Sequence, residues 1–111
     1  MSMILSAVRA AGCAAALVWS AAGAQPAEPR QAELAYMVRQ DCGSCHGLTL
    51  KGGLGPALDP RAMSGKDPEQ MRHVILYGRP GTPMPPWKDF VTEDEVRWIV
   101  DTLKKGLPDA R

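Results

Sequence analysis

Apolar side chains recur at helical spacing in three segments of the chain. In the first, Leu34, Met37 and Val38 stand at positions i, i+3 and i+4, which is the spacing of one face of an amphipathic helix. We expect this helix to run from Gln31 up to Cys42. Two later segments carry similar stripes, formed by Met71, Val74 and Ile75 and by Val96, Ile99, Val100 and Leu103. No stretch alternates apolar and polar residues as a β-strand does, so the pattern predicts an all-α domain.

Capping signals mark the ends of the second and third predicted helices. Asp67 is followed by a proline at the first helical position, and Gly78 follows the last apolar residue of the stripe. Thr92 and Glu95 form a capping-box pair at the start of the third helix, and Gly106 closes that helix. The sequence therefore predicts well-defined ends for both helices.

Two segments between the helices are rich in glycine and proline. Residues 43–65 contain the run Gly-Gly-Leu-Gly-Pro and show no sustained period, so we expect one long loop there. Residues 79–87 contain four prolines and are predicted to be irregular. Because a long loop in a small domain is usually functional, these segments are candidates for building a site.

The first 24 residues have the features of a secretory signal peptide. Arg9 is followed by an apolar run that ends in a small-x-small sequence at residues 22–24. The run is shorter than the roughly 20 residues that span a bilayer. We therefore expect cleavage after Ala24, export to the periplasm and no stable membrane anchor. A lipoprotein, cut before Cys13 and acylated there, is the alternative.

Cleavage after residue 24 leaves a small chain with balanced charge, in which residues 25–30 form a polar tail and residues 31–111 the domain. Loss of Arg9 leaves twelve basic and twelve acidic residues, unlike the basic excess of a nucleic-acid-binding protein.

One Phe, two Tyr and the two remaining Trp supply few large side chains for a core. Domains of this size usually need a staple, that is, additional stabilisation by disulfides, a metal or oligomerisation. We expect the two remaining cysteines to hold it.

These cysteines belong to the sequence C-x-x-C-H, formed by Cys42, Cys45 and His46. This is the signature of c-type haem attachment: the thiols add to the haem vinyl groups as thioethers, and His46 becomes the proximal ligand of the iron. We therefore expect one covalent haem c. A thioredoxin-like pair needs a βαβ pattern and a zinc site needs a second cysteine pair, and the sequence has neither. A structural disulfide would leave His46 unexplained.

Met84 is the candidate for the second axial ligand. It lies outside the helical stripes, in a proline-rich segment. The prolines restrict the unfolded loop and so lower the entropy cost of holding a thioether at the iron. Met63 and His73 stay open as alternative ligands. Met37 and Met71 lie on helical stripes, so we expect both to pack in the core.

Two further residues are candidates for supporting the haem. A metal-bound histidine normally donates its other N–H to an acceptor, and the Gly55-Pro56 segment offers a carbonyl for that purpose. Trp87 has two interpretations of equal standing. It either donates its indole N–H to a haem propionate or packs against the haem edge.

Together these residues resemble the class I bacterial cytochromes c over nearly the entire predicted domain. In that family a Gly-Pro-x-Leu segment follows the haem motif, and a methionine in a proline-rich loop precedes the last helix; here they are residues 55–58 and Met84. The resemblance implies a class I cytochrome c fold of about three to four helices wrapped around one haem. It also implies that the Pro56 carbonyl accepts from the proximal histidine and that Trp98 packs on the first helix. The first helix lacks the Gly-Phe pair of many members.

More narrowly, residues 78–87 are similar to a run in the small monohaem cytochromes encoded beside the cytochrome cd-type nitrite reductase of denitrifying bacteria. This resemblance implies a diffusible electron carrier that docks transiently with redox proteins, among them that reductase. Two filled axial positions on the iron argue against an enzyme. Maturation of the reductase's haem d, or service to an unrelated periplasmic dehydrogenase or oxidase, are the alternatives. We expect a monomer that binds no nucleic acid.

Overall fold

The computed structural model describes residues 24–108. The predicted signal peptide and the lipoprotein alternative at Cys13 rest on residues outside this range. Within it the chain is helical and has no strand, which confirms the predicted all-α fold. The elements are α1 (Glu28–Met37), a π-helical turn (Val38–Cys42), α2 (Gly43–His46), α3 (Pro60–Met63), α4 (Pro68–Tyr77) and α5 (Glu93–Lys105). None of these helices is long and apolar enough to cross a bilayer.

Helix α1 begins three residues earlier than the apolar stripe predicts. The helix therefore includes Glu28, Pro29 and Arg30, which are the last residues of the expected tail of residues 25–30. Pro29 lies in the first turn, where its fixed φ suits a helix and its missing N–H costs no bond. Arg30 then reaches α5, and its Nε lies 2.7 Å from Oε1 of Glu95.

The expected long loop of residues 43–65 is also wrong in part, because α2 and α3 interrupt it. Asp59 caps α3 by accepting from the N–H of Ala62 at 2.9 Å, and Pro60 occupies the first helical position. This is the same Asp-Pro signal that marks α4. Met63, expected in the loop, is a helical residue and is only 1% exposed.

The predicted ends of α4 and α5 are confirmed. Asp67 accepts from the N–H of Glu69 at 3.0 Å, and Gly78 ends α4 with a φ of +72°. At α5 the capping box is complete: Thr92 Oγ1 accepts from Glu95 N–H at 3.1 Å, and the Glu95 carboxylate accepts from Thr92 N–H at 2.9 Å.

Helix α5 lies at the centre of the packing, since α1, α3 and α4 all contact it. Its predicted stripe is buried, together with Leu34, Val38, Leu50, Met63, Leu76 and Val91 from the rest of the domain. Burying a side chain of this size stabilises the fold by roughly 1.5–3 kcal/mol. Cys42 and Trp87 pack against this core from its edge. The core therefore fixes one cysteine of the C-x-x-C-H sequence and the end of the proline-rich loop.

Candidate haem-binding site

The C-x-x-C-H sequence lies where the first helical stretch ends. Cys42 is the last residue of the π-helical turn, and Cys45 and His46 lie in α2. A π turn closes i→i+5 hydrogen bonds and so takes more residues per turn than an α-helix. The turn therefore offsets the helical register of the cysteines from that of the buried stripe of α1. Both cysteines are half-buried, and no disulfide joins them.

The Cys42 thiol is held in an apolar setting. Burial raises its pKa to about 11, and the negative charge of Asp41 adds to the increase. The Cys42 sulfur therefore lies in poorly solvated surroundings. Ser44, the exposed residue between the two cysteines, donates its hydroxyl to the Asp41 carbonyl at 2.7 Å and stabilises the turn.

The His46 ring is fixed by two contacts with the segment that follows. Its Nδ1 lies 2.6 Å from the carbonyl oxygen of Pro56, and because a carbonyl only accepts, Nδ1 carries the proton. That tautomer leaves the lone pair on Nε2, the nitrogen available to a metal. Gly55 covers the ring so closely that a Cβ there would lie 2.8 Å from Cε1 and 2.9 Å from Nδ1.

The loop after His46 is tied back to the haem motif by its backbone. Gly52 N–H donates to the His46 carbonyl and Gly55 N–H to the Cys45 carbonyl, each at 2.8 Å. Gly47 has a φ of +89°, and a Cβ there would lie 2.5 Å from the Gly52 carbonyl oxygen. Sequence reasoning missed these glycine contacts, although the glycine-rich composition of the loop was a signal for them.

Leu50, in the same loop, is a buried residue with a φ of +58°. A non-glycine side chain in the left-handed region costs on the order of 1 kcal/mol or more. Burial of the leucine in the core offsets that cost, and its carbonyl accepts from Leu58 N–H at 2.8 Å. The strained residue thus connects the loop to the core. The sequence contains no signal for it.

Met84 is half-buried in the loop between α4 and α5. Its carbonyl accepts from Arg79 N–H at 3.2 Å, and a Cβ on Gly78 would lie 2.7 Å from that same oxygen. Farther along the loop, the backbone N–H of Trp87 donates to the Ile75 carbonyl at 3.0 Å. The segment that holds Met84 is therefore ordered by backbone contacts with the end of α4.

The Trp87 ring packs against the core, with the Phe90 ring in an edge-on contact at 5.7 Å between centroids. Met37, Met71 and Trp98 also pack against the core as half-buried side chains. Of the two alternative axial ligands, Met63 is enclosed in the core. His73 is exposed on α4, and its ring lies 4.8 Å from that of Tyr77.

The donor set of the site fits a haem c. It consists of two half-buried thiols three residues apart, an imidazole with Nε2 free and a thioether on an ordered loop. Thioether bonds from the thiols and axial ligation by imidazole and methionine are the chemistry of a c-type haem. Among residues 24–108 no cluster of three His, Cys, Asp or Glu side chains is placed to hold a metal ion, so the zinc alternative finds no support there.

Comparison with known proteins gives the same result. A family model described as cytochrome c oxidase, cbb3-type, subunit III matches residues 29–101. Cytochrome c55X of Pseudomonas aeruginosa is 54% identical over 81 residues, which are 73% of this chain and 68% of that protein. The solved structure of the c-type cytochrome NirC is 53% identical, with a TM-score of 0.71, over 73% of this chain and 95% of that one.

A larger protein also shares the domain. The structure of the dihydro-heme d1 dehydrogenase NirN in complex with DHE is 34% identical, with a TM-score of 0.60, over 73% of this chain but only 17% of that one. From the helical fold, the C-x-x-C-H site and these relatives, we conclude that the chain belongs to the class I c-type cytochromes, the electron carriers that hold haem c.

Proposed function

We propose that this chain is a periplasmic carrier of single electrons with one haem, attached through Cys42 and Cys45 and ligated by His46 and Met84. The observation that carries the proposal is the 2.6 Å contact between His46 Nδ1 and the Pro56 carbonyl. It leaves Nε2 as the donor atom directly after the two cysteines. The haem supplies a one-electron iron centre when bound.

The protein residues then hold the two axial donors in place. Pro56 keeps the His46 ring in one tautomer and orientation, and Gly55 prevents the ring from tilting toward the loop. The backbone contacts of Met84 limit the movement of its thioether. Donors that keep their positions in both oxidation states make the reorganisation on electron transfer small. That property suits a carrier and disfavours an enzyme, which needs an open position for its substrate.

We further propose that the partner is a cytochrome cd-type nitrite reductase and that the setting is denitrification. The resemblance of residues 78–87 to the small cytochromes encoded beside that reductase supports this partner, as does the likeness to cytochrome c55X and NirC. The balanced charge of the predicted mature chain suits a weak, transient interface. The carrier acts as a monomer in this proposal, with a cleaved signal peptide and no membrane anchor.

A second candidate function is maturation of the haem d of that reductase. The likeness to a dihydro-heme d1 dehydrogenase favours it, because a similar cytochrome domain occurs in a protein named for its action on dihydro-heme d1. In this case the chain relays electrons during assembly of the reductase. Both functions use the same haem chemistry, so they differ in the partner alone.

Stopped-flow mixing tests the first function. Ferrous protein is mixed with a cytochrome cd-type nitrite reductase and nitrite, and we expect the ferrous bands to disappear within a few turnovers. A second small periplasmic cytochrome known to reduce the enzyme serves as the control. Direct donation is wrong if the ferrous bands persist while the control is oxidised.

A strain that lacks this protein tests the second function. Purified reductase from that strain should contain no haem d if the chain serves maturation, and a normal amount if the chain is only a donor. Persistent ferrous bands together with normal haem d would leave a carrier for another periplasmic dehydrogenase or oxidase. Fractionation of cells, with the mature N-terminus read by mass spectrometry, checks export and cleavage after Ala24.

A further inference from the structure

A single hydroxyl group spans the loop that carries Met84. The Thr82 hydroxyl donates to the Arg79 carbonyl at 2.7 Å. The same oxygen accepts from Met84 N–H at 3.4 Å, a long contact. Thr82 N–H also donates to the Arg79 carbonyl, at 3.1 Å. The hydroxyl thus connects Arg79, the residue that follows Gly78 at the end of α4, to Met84.

The prolines on either side of Met84 make this contact important. Pro83 and Pro85 have no N–H, so Met84 supplies the one backbone donor of residues 83–86. Thr82 Oγ1 accepts from that donor, and Arg79 N–H donates to the Met84 carbonyl at 3.2 Å. Both polar backbone groups of Met84 are therefore bound inside the turn. The methionine backbone has its position set by Arg79 and Thr82.

We propose that Thr82 is a positioning residue for the Met84 thioether. The inference rests on the proposed function, in which that thioether is the second axial ligand of the haem. Thr82 does not touch the ligand atom and acts through the backbone of the loop. Without the hydroxyl, Met84 N–H has no acceptor in the turn, and only the bond from Arg79 N–H to the Met84 carbonyl remains. We expect the thioether to be detached from the iron more often in that case. One hydrogen bond of this kind corresponds to a change of roughly 3- to 10-fold in the detached population.

The test uses purified holoprotein with Thr82→Val, which keeps the shape of the side chain and removes the hydroxyl, and Thr82→Ala as a second variant without it. Carbon monoxide binding to the ferrous form reports the detached population. We expect binding roughly 3- to 10-fold faster in both variants. Thr82→Ser keeps the hydroxyl and should remain within about twofold of wild type.

Two controls separate positioning from general stability. Thr49→Val changes an exposed threonine on the other loop and should leave carbon monoxide binding unchanged. Helical melting of Thr82→Val should follow that of Thr82→Ser, because the exposed hydroxyl supports the loop and not the core. Equal carbon monoxide binding in Thr82→Val and wild type, or equally fast binding in Thr82→Ser and Thr82→Val, overturns the inference.

Met84→Ala, measured alongside, tests the ligand assignment of Met84 separately from the positioning role of Thr82. If Met84→Ala loses the methionine-to-iron band while Thr82→Val behaves as wild type, the ligand assignment stands and only the role of Thr82 is wrong. If Met84→Ala keeps the band, the ligand assignment itself fails, and the positioning role fails with it.

Discussion

The carbonyl oxygen of Pro56 lies 2.6 Å from Nδ1 of His46, and Gly55 fills the space beside the same ring. A short hydrogen bond of this type makes the imidazole a stronger donor, because the Nδ1–H bond is polarised toward the carbonyl. The pair of neighbouring residues thus controls both the direction and the donor strength of the proximal histidine. Neither residue lies in the C-x-x-C-H sequence.

Gly55→Ala should disturb this arrangement. The added Cβ would lie 2.8 Å from Cε1 of His46, so the ring or the loop must move. We expect the holoprotein to lose about 1–3 kcal/mol of unfolding free energy. We also expect a higher reduction potential, since a weaker hydrogen bond to Pro56 makes the imidazole a weaker donor to ferric iron. Denaturant melting and redox titration measure the two effects.

Gly65→Ala is the matched control for that variant. Gly65 has a φ of +76°, so alanine is strained there, but a Cβ meets no atom within 4 Å. We expect a cost of about 1 kcal/mol and an unchanged potential. Equal potentials for both variants and wild type would contradict the role of Gly55.

The parts of the fold with local signals were predictable from the sequence. Asp67 and the Thr92 capping box mark α4 and α5, and their hydrogen bonds are present as expected. The short α3 was missed because four residues cannot show a periodic stripe, although Asp59 and Pro60 repeat the start signal of α4. The resemblance to the class I cytochromes is confirmed by cytochrome c55X and NirC.

The parts that depend on distant contacts were not predictable. The π-helical turn that ends at Cys42 has no composition of its own. It begins at Val38, which is buried in the core directly after α1. The left-handed Leu50 is held by burial, which a local pattern does not reveal. That Cys45, His46 and the other site residues bind haem is a prediction from the sequence, and the experiments below test it.

The paired cysteines should be essential to the fold if haem is its staple. Replacing Cys42 and Cys45 by alanine removes the proposed covalent bonds, and a domain with so few large side chains has little else to replace them. We expect loss of bound haem, low helicity by circular dichroism and no cooperative melting. Ser44→Ala, at the exposed position between them, should keep both haem and helicity. Native-like helicity in the double variant would refute the staple.

The stability of the domain should fall in acid through Glu95. Its hydrogen bonds to Arg30 and to Thr92 N–H lower its pKa in the folded state. The stabilisation is therefore complete above the ordinary glutamate pKa of about 4.3 and is lost as the pH falls through the lower folded value. Glu95→Gln should cost about 1–3 kcal/mol near neutral pH, and its difference from wild type should shrink as the pH falls below the ordinary glutamate pKa.

Glu33→Gln is the control for this pH dependence. Glu33 also pairs with Arg30, at 2.9 Å, but its side chain is 65% exposed. Water screens such a pair, so we expect a change within about 0.5 kcal/mol at any pH. Urea denaturation of the three proteins across the acid range gives the comparison. A constant difference between Glu95→Gln and wild type down to pH 3 would contradict the prediction.

Met84→Ala tests the axial ligand directly. The variant should keep its covalent haem, because the cysteines are unchanged, but lose the methionine-to-iron band and bind carbon monoxide readily. A thioether ligand favours ferrous iron, so its removal should lower the reduction potential by on the order of 100 mV. Met71→Leu is the control, since Met71 packs against the core from α4 and a swap of similar volume should leave the spectrum unchanged. An unchanged spectrum in Met84→Ala would pass the assignment to Met63 or His73, and the same substitution at each would then identify the ligand.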